Sequence, residues 1–178
     1  GAASFTFKLI LEGLRDFGGA LSPTNAFQII QGLETLELRI KQHSKNALEL
    51  AQWLVKQEEV VWVNYPGLES SAYKKLADKY LPNGQSGLVT FGAKGGYEAA
   101  KTIVDNAKVF SLLANIGDTK SLIIHPASTT HQQLTEEQQL AAGVSSDLIR
   151  LSVGLEDIED LKIDLKEAFS KIPSEVLV

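Results

Sequence analysis

Apolar residues recur at Ala26, Ile29, Ile30, Leu33, Leu36, Ile40, Ala47, Leu50 and Leu54, and no Pro interrupts them before Pro66. The spacing predicts a helix, because side chains three and four residues apart share one face. Its start is marked by Ser22-Pro23 after the turn signal Gly18-Gly19. Ser can accept from an orphan backbone N–H, and Pro suits the first helical position. Read as one element, the helix runs over 23–56 and spans roughly 50 Å at about 1.5 Å per residue, more than one compact domain needs for its own core. The pattern therefore predicts a helix that links two domains. The stripe thins at His43 to Asn46, which leaves two helices broken there as the alternative.

Beyond Lys56 shorter periods take over. Val60-Val61-Trp62-Val63 has the β-branched and aromatic character of a strand and stops at Tyr65-Pro66-Gly67. Residues 70–81 read as a helix with Tyr73, Leu76, Ala77 and Tyr80 on one side, closed by Pro82-Asn83-Gly84. Residues 87–91 form a second expected strand. A helix follows from Tyr97 to Ala107, leading into the apolar run 109–113. Residues 121–124 make a short apolar run stopped by Pro126. The clearest strand is 147–155, with Ile149, Leu151, Val153 and Leu155 on one face and Arg150 and Ser152 on the other. A last helix opens at Glu156, Asp157, Glu159 and Asp160, where acidic groups suit the positive end of the dipole, and closes near Lys166 and Lys171. Its buried stripe is Ile158, Leu161, Leu165, Ala168 and Phe169. Four or five short strands interleaved with helices predict an α+β layer over 57–178, one small sheet covered by helices mainly on one face.

Composition narrows the class of protein. At 178 residues, 44% of them hydrophobic and 22% charged, the chain can bury a core without disulfide or metal staples. A net charge of -5 with no run of Lys or Arg argues against nucleic-acid and anionic-membrane surfaces. The absence of Cys excludes disulfides, thiolate nucleophiles and Cys-ligated zinc, and the cytoplasm is the expected compartment. The apolar stretch Phe5 to Leu11 is broken by Lys8 and followed by Glu12, Arg15 and Asp16, which fits neither a signal peptide nor a spanning helix. With no Met anywhere, the chain is expected to have been cut from something longer; a trimmed small protein is the alternative.

Among groups that could carry chemistry, Arg150 is one of only three arginines and stands on the strand face opposite the core. A strand is a rigid platform for a guanidinium that meets a carboxylate through two parallel hydrogen bonds. Spacing alone leaves a surface salt bridge open. His125 and His131 lie six residues apart around Pro126, which is not the spacing of two ligands on one helix face, so no metal site is expected. A His-plus-Ser hydrolase using Ser128 lacks any Gly-x-Ser-x-Gly elbow. The Gly pairs at 18–19 and 95–96 match no phosphate-cradling loop and read as turns. His43 reads as a packed or surface residue.

The run from Asp118 through Ser121-Leu122-Ile123-Ile124-His125-Pro126-Ala127-Ser128-Thr129-Thr130-His131, then Gly143-Val144, then Leu148 to Glu156, resembles the Cys/Met-metabolism family of pyridoxal-phosphate enzymes. That family includes cystathionine synthases and lyases, methionine lyase and the homoserine-ester sulfhydrylases. Leu14-Arg15, Gly18 to Pro23 and Gln31 to Leu36 resemble the family's approach to its interdomain helix. The resemblance implies the carboxy-terminal part of a fold-type-I enzyme: residues 1–22 the tail of the large cofactor domain, 23–56 the linking helix, 57–178 the small domain that closes the active site. It implies pyridoxal phosphate as cofactor, held through a Lys upstream of everything here, with no catalytic or cofactor-binding residue in this chain. Three positions match the family's substrate pocket: Arg150 on the substrate carboxylate, with Asn115 and Thr130 nearby. Asn115, where other branches often have Ser, and the run Ser128 to Gln133 look more like the branch acting on O-acetylhomoserine. The implied reaction replaces acetate by sulfide at the γ-carbon, and the implied partners are an amino-acid substrate, the rest of the polypeptide and further copies in a tetramer. A sibling lyase or cystathionine synthase, and a non-catalytic binding module, are the competing expectations.

Overall fold

The computed structural model describes residues 1–177. Two compact units emerge, Gly1–Glu37 and the chain from Leu38 onward. The first is helical: α1 (Ala2–Lys8) runs through a π-helical stretch, Leu9–Leu14, into α2 (Arg15–Phe17). Gly18 ends it in the left-handed conformation, at φ 67°, that glycine adopts without a Cβ penalty. Ser22 then caps α3 (Pro23–Glu34) by accepting from Asn25 N–H at 3.2 Å, as its place before Pro23 suggests.

The single helix expected over 23–56 is interrupted. Thr35 takes φ -108° and ψ 4°, and a second helix, α4 (Leu36–Leu54), follows. Gly32 and the β-branched Thr35 are both weak helix formers within one turn. No α3 residue is buried, so packing does not offset that weakness. The alternative break near His43 to Asn46 does not occur. Those residues are mid-helix, and the stripe thins there because His43, Ser44 and Asn46 are polar groups facing inward, all under a tenth exposed.

The second unit is built on five strands: β1 (Val60–Asn64), β2 (Leu88–Ala93), β3 (Ser111–Leu112), β4 (Leu122–Ile124) and β5 (Leu148–Ser152). Their order is β1-β2-β5-β4-β3, with every pair antiparallel except β3 and β4. The last strand in sequence is thus the middle strand in space. The strand is shorter than the expected 147–155, and its alternation holds at its centre: Ile149 and Leu151 are fully buried and Arg150 between them only partly so, while Ser152, on the face of Arg150, is buried as well.

Helices α4, α6 (Gly96–Asn106) and α8 (Ile158–Phe169) supply the rest of one core, in which Leu50, Ile103 and Leu165 pack with Phe91 and Ile149. Trp53 stacks on Phe169 at 6.0 Å between ring centres, and Phe91 meets the same ring edge-on. The fold is α+β with a mainly antiparallel sheet.

Two local readings need revision. The helix expected over 70–81 is shorter, α5 (Lys74–Tyr80), and only Ala77 of its expected face is buried, so its apolar side is open. A short helix that the apolar period does not show, α7 (Glu136–Ala141), begins at a capping box. Thr135 Oγ1 accepts from Gln138 N–H, and the Gln138 side chain accepts from Thr135 N–H.

Candidate functional site

Arg150 stands on the middle strand, opposite Thr90 on β2 and Ile124 on β4. Three paired strands fix its backbone. The guanidinium is half-buried, and among the described residues it makes no hydrogen bond or ion pair. Lys162 with Glu49 at 2.7 Å and Lys101 with Asp105 at 2.6 Å do form ion pairs; Arg150 differs from the unpaired surface lysines in standing partly buried on the middle strand. The surface salt bridge left open by the sequence is not formed.

The other two candidates lie on the connections at either end of β4. Asn115 is exposed in the loop between β3 and β4, two residues before Gly117, whose N–H donates to Ser152 Oγ at 3.3 Å. Thr130 is exposed beyond the turn Pro126–Ser128, with Oγ1 2.9 Å from His131 Nδ1. The register places Ser152 opposite Leu122 and Arg150 opposite Ile124, so each loop leaves β4 beside a polar residue of β5. No hydrogen bond among the described residues links the three candidates directly.

Several residues that the sequence did not single out build the two loops. Gln139 on α7 donates through Nε2 to the carbonyls of His131 and Ala127, at 2.9 and 3.2 Å, and so closes the turn that bears Thr130. His125 is fully buried, edge-on to Tyr97 at 4.8 Å. Its Nε2 lies 2.8 Å from the Ser146 carbonyl, which can only accept, so that nitrogen carries the proton. Nδ1 is then left to accept from Ser128 Oγ at 2.9 Å. Burial holds the His125 pKa below its ordinary value and keeps the ring neutral. The Ser128–His125 pair has the spacing of a nucleophile and base, but its orienting partner is a carbonyl and the ring is sealed inside the fold. Both ring nitrogens serve the turn.

On the opposite side of Arg150, Trp62 Nε1 donates to Asp147 Oδ2 at 2.8 Å directly over Gly92, where any Cβ would overlap both groups. A Gly in a strand with a Trp two residues before the facing turn is a weak signal, and nothing in the spacing predicts this contact. Asp164 on α8 accepts from the N–H groups of Lys108, Val109 and Phe110 at 2.8, 3.0 and 3.1 Å, which anchors the run leading into β3 and the Asn115 loop. Among the described residues no group of three His, Asp or Glu side chains is arranged to hold a metal ion.

The chain matches the family described as Cys/Met metabolism PLP-dependent enzyme over residues 4–170. The chain belongs to that family. Relatives include the O-acetyl-L-homoserine sulfhydrylase 1 of Thermus thermophilus, 52% identical over 96% of this chain and 40% of the relative. The O-acetyl-L-homoserine sulfhydrylase of Leptospira meyeri is 54% identical over 95% and 38%. The homocysteine synthase of Schizosaccharomyces pombe is 49% identical over 94% and 39%. A crystal structure of an O-acetylhomoserine (thiol)-lyase from Campylobacter jejuni, carrying an N'-pyridoxyl-lysine-5'-monophosphate, superposes with a TM-score of 0.84 at 50% identity. It covers 93% of this chain and 39% of that one. The chain therefore spans about 40% of the length of the relatives it matches.

The family's cofactor needs a lysine in a desolvated site, where a lowered pKa exposes a neutral amine. The described lysines do not fit. None is buried, and the two that are half-buried, Lys74 and Lys162, are held above their ordinary pKa by hydrogen bonds to Asp78 and Glu159. Among the described residues no lysine is therefore a candidate for holding that cofactor.

Proposed function

We propose that this chain is the substrate-side domain of a pyridoxal-phosphate sulfhydrylase that converts O-acetylhomoserine and sulfide to homocysteine and acetate. The observation that carries the reading is the unneutralised Arg150 on the middle strand of a member of this family. Arg150 holds the α-carboxylate of the amino acid in a two-bond fork, which turns the amine and α-hydrogen toward a cofactor held elsewhere. Asn115 and Thr130, from the loops at the two ends of β4, line the same pocket and set which amino-acid ester is accepted. The sulfhydrylase and homocysteine synthase names of the relatives support that substrate over those of the sibling lyases. Pyridoxal phosphate supplies the electron sink when bound, and its lysine lies outside these residues. The same reading places the working enzyme in the cytoplasm as a tetramer and leaves this chain inactive alone.

The test has two arms. The purified chain is mixed with pyridoxal phosphate, reduced with borohydride and mapped for a modified lysine; no stoichiometric labelling is expected. The natural gene product that contains the chain is then assayed with O-acetylhomoserine and sulfide. In it, Arg150→Ala is expected to raise KM for the ester roughly 100-fold, the loss of about 3 kcal/mol of charged hydrogen bonding, with the cofactor absorbance unchanged. Full labelling of one lysine in the isolated chain would overturn the assignment of sides. Turnover of methionine or cystathionine with none of O-acetylhomoserine would move the protein to a sibling activity.

A further inference from the structure

The segment that follows Arg150 is held by a closed set of polar contacts. Glu156 accepts Ser121 N–H at Oε1 and the Ser121 hydroxyl at Oε2, both at 2.7 Å. The same Ser121 Oγ accepts from Gly154 N–H, also at 2.7 Å. From α4, Asn46 Nδ2 donates to the carbonyls of Gly154 and Glu156, each at 3.0 Å, and His43 Nδ1 lies 2.6 Å from the Val153 carbonyl. Leu155 N–H reaches the Thr119 carbonyl at 2.9 Å. Ser121 is fully buried, and a Cβ at Gly154 would overlap the Glu156 carboxylate, the Thr119 carbonyl and the Ser121 amide.

These contacts join two specific stretches. One is 152–156, which continues from Arg150; the other is 117–121, which continues from Asn115. Beyond Ser152 and before Leu122 the ladders thin to single bonds, Val153 N–H to the Gly87 carbonyl at 2.8 Å and Ser111 N–H to the Ser121 carbonyl at 2.9 Å, neither of which joins one stretch to the other. The clamp joins them. A half-buried carboxylate taking two short bonds from a fully buried serine is a strong fastener. The helix-dipole role suggested by the acidic cluster does not account for Glu156, because the cap of α8 is Asp157, whose side chain accepts from Glu159 N–H at 2.8 Å.

We propose that Glu156, acting through Ser121, is a positioning residue that fixes the separation between Arg150 and the Asn115 loop, so that both reach one amino-acid substrate. The inference rests on the reading of Arg150 and Asn115 given above. A displacement of about 1 Å at such a pair costs on the order of 100-fold in rate or binding. The clamp therefore belongs to specificity as well as to stability.

Two measurements test it: amide hydrogen exchange in the 178-residue chain, and steady-state kinetics in the natural gene product that contains it. Glu156→Ala is expected to speed exchange at Ser121 and Gly154 by about tenfold or more while Ile103 and Leu165 in the core keep their protection. The KM of the amino-acid substrate should rise roughly 10- to 100-fold with kcat within about threefold. Glu156→Gln, which keeps an acceptor oxygen for Ser121 N–H, should recover most of the loss. Ser121→Ala, a smaller change in the same clamp, should give the same pattern at reduced size. Unchanged exchange at Ser121 and Gly154 would overturn the clamp. Uniform loosening of the core, or local loosening with no change in KM, would leave Glu156 a purely structural residue and overturn the positioning role. A wild-type protein inactive on O-acetylhomoserine would sink the sulfhydrylase reading instead; the exchange result, and KM for whichever amino acid it does use, still decide the clamp.

Discussion

The two units of this chain have similarly apolar helices and opposite fates. In the unit from Leu38 onward, Leu50, Phe91, Ile149 and Leu165 are fully buried, and buried polar groups such as Asn46 and Asp164 are fastened to backbone, while Ser44 Oγ and His43 Nε2 have no partner among the described residues. In Gly1–Glu37 the large apolar residues stay open: Phe27 is 62% exposed, Leu33 58% and Phe17 90%. Both helices carry a stripe at the same period, so the stripe alone does not say whether it is covered. What differs is whether a sheet face stands opposite it. An amphipathic helix is a demand for a partner, and only the second unit contains one.

The largest effect expected from this contrast is in the core. Phe91→Ala should cost about 4 kcal/mol of unfolding free energy, through lost transfer and the cavity left beside Phe169, as read by denaturant titration. Asp164→Ala should cost roughly 3 kcal/mol, since three N–H groups lose a charged acceptor in a buried place. Tyr65→Phe should cost about 1 kcal/mol, the hydroxyl's bond to the Ser86 carbonyl at 3.0 Å. Burial of that ring also pushes its pKa up to about 12, so its ultraviolet titration should lag behind that of the other tyrosines.

A subtler effect is tied to pH. The folded pKa of His125 lies below its ordinary value of 6.5 because the ring is buried. Between the two values the unfolded chain binds more protons than the folded one, so stability rises with pH. The contribution is complete above about 6.5 and is lost as pH falls toward the folded pKa. Melting temperatures of wild type and His125→Asn, compared across that window, should show a steeper acid-side decline in the wild type; parallel curves would count against it.

The smallest expected effect on stability is in the first unit. Phe27→Ser should change the unfolding free energy of the chain by no more than about 0.5 kcal/mol, because the side chain loses little packing. The same change should reduce self-association in sedimentation, since the exposed apolar surface is what drives it. A monodisperse wild-type chain would break that part of the comparison.

The legible parts of the fold were those with a strong period. The alternation through Ile149, Arg150 and Leu151 puts the arginine on the face opposite the core, and the Ser22 cap and the acidic cluster from Glu156 mark real helix starts. The Thr135-x-x-Gln138 box was equally readable, although α7 carries no apolar stripe to draw attention to it. The break at Thr35 was not readable from hydrophobicity, because the stripe continues across it. His43 and Asn46 looked like a thinning of the same stripe, yet they are its most specific contacts, each bonded to backbone more than a hundred residues away.

By itself the sequence determined most of the local grammar: the strongly periodic segments that wind or extend, the cap at Ser22, which face of β5 carries the guanidinium, and the family to which the words belong. Those properties follow from neighbours along the chain. The tertiary structure alone decided that β5 lies at the centre of the sheet, that Arg150 meets no carboxylate among the described residues, and that Glu156 reaches Ser121 rather than the end of its own helix. Such pairings depend on residues far apart in sequence meeting in a particular register, and no period along one segment records which distant segment will stand across from it.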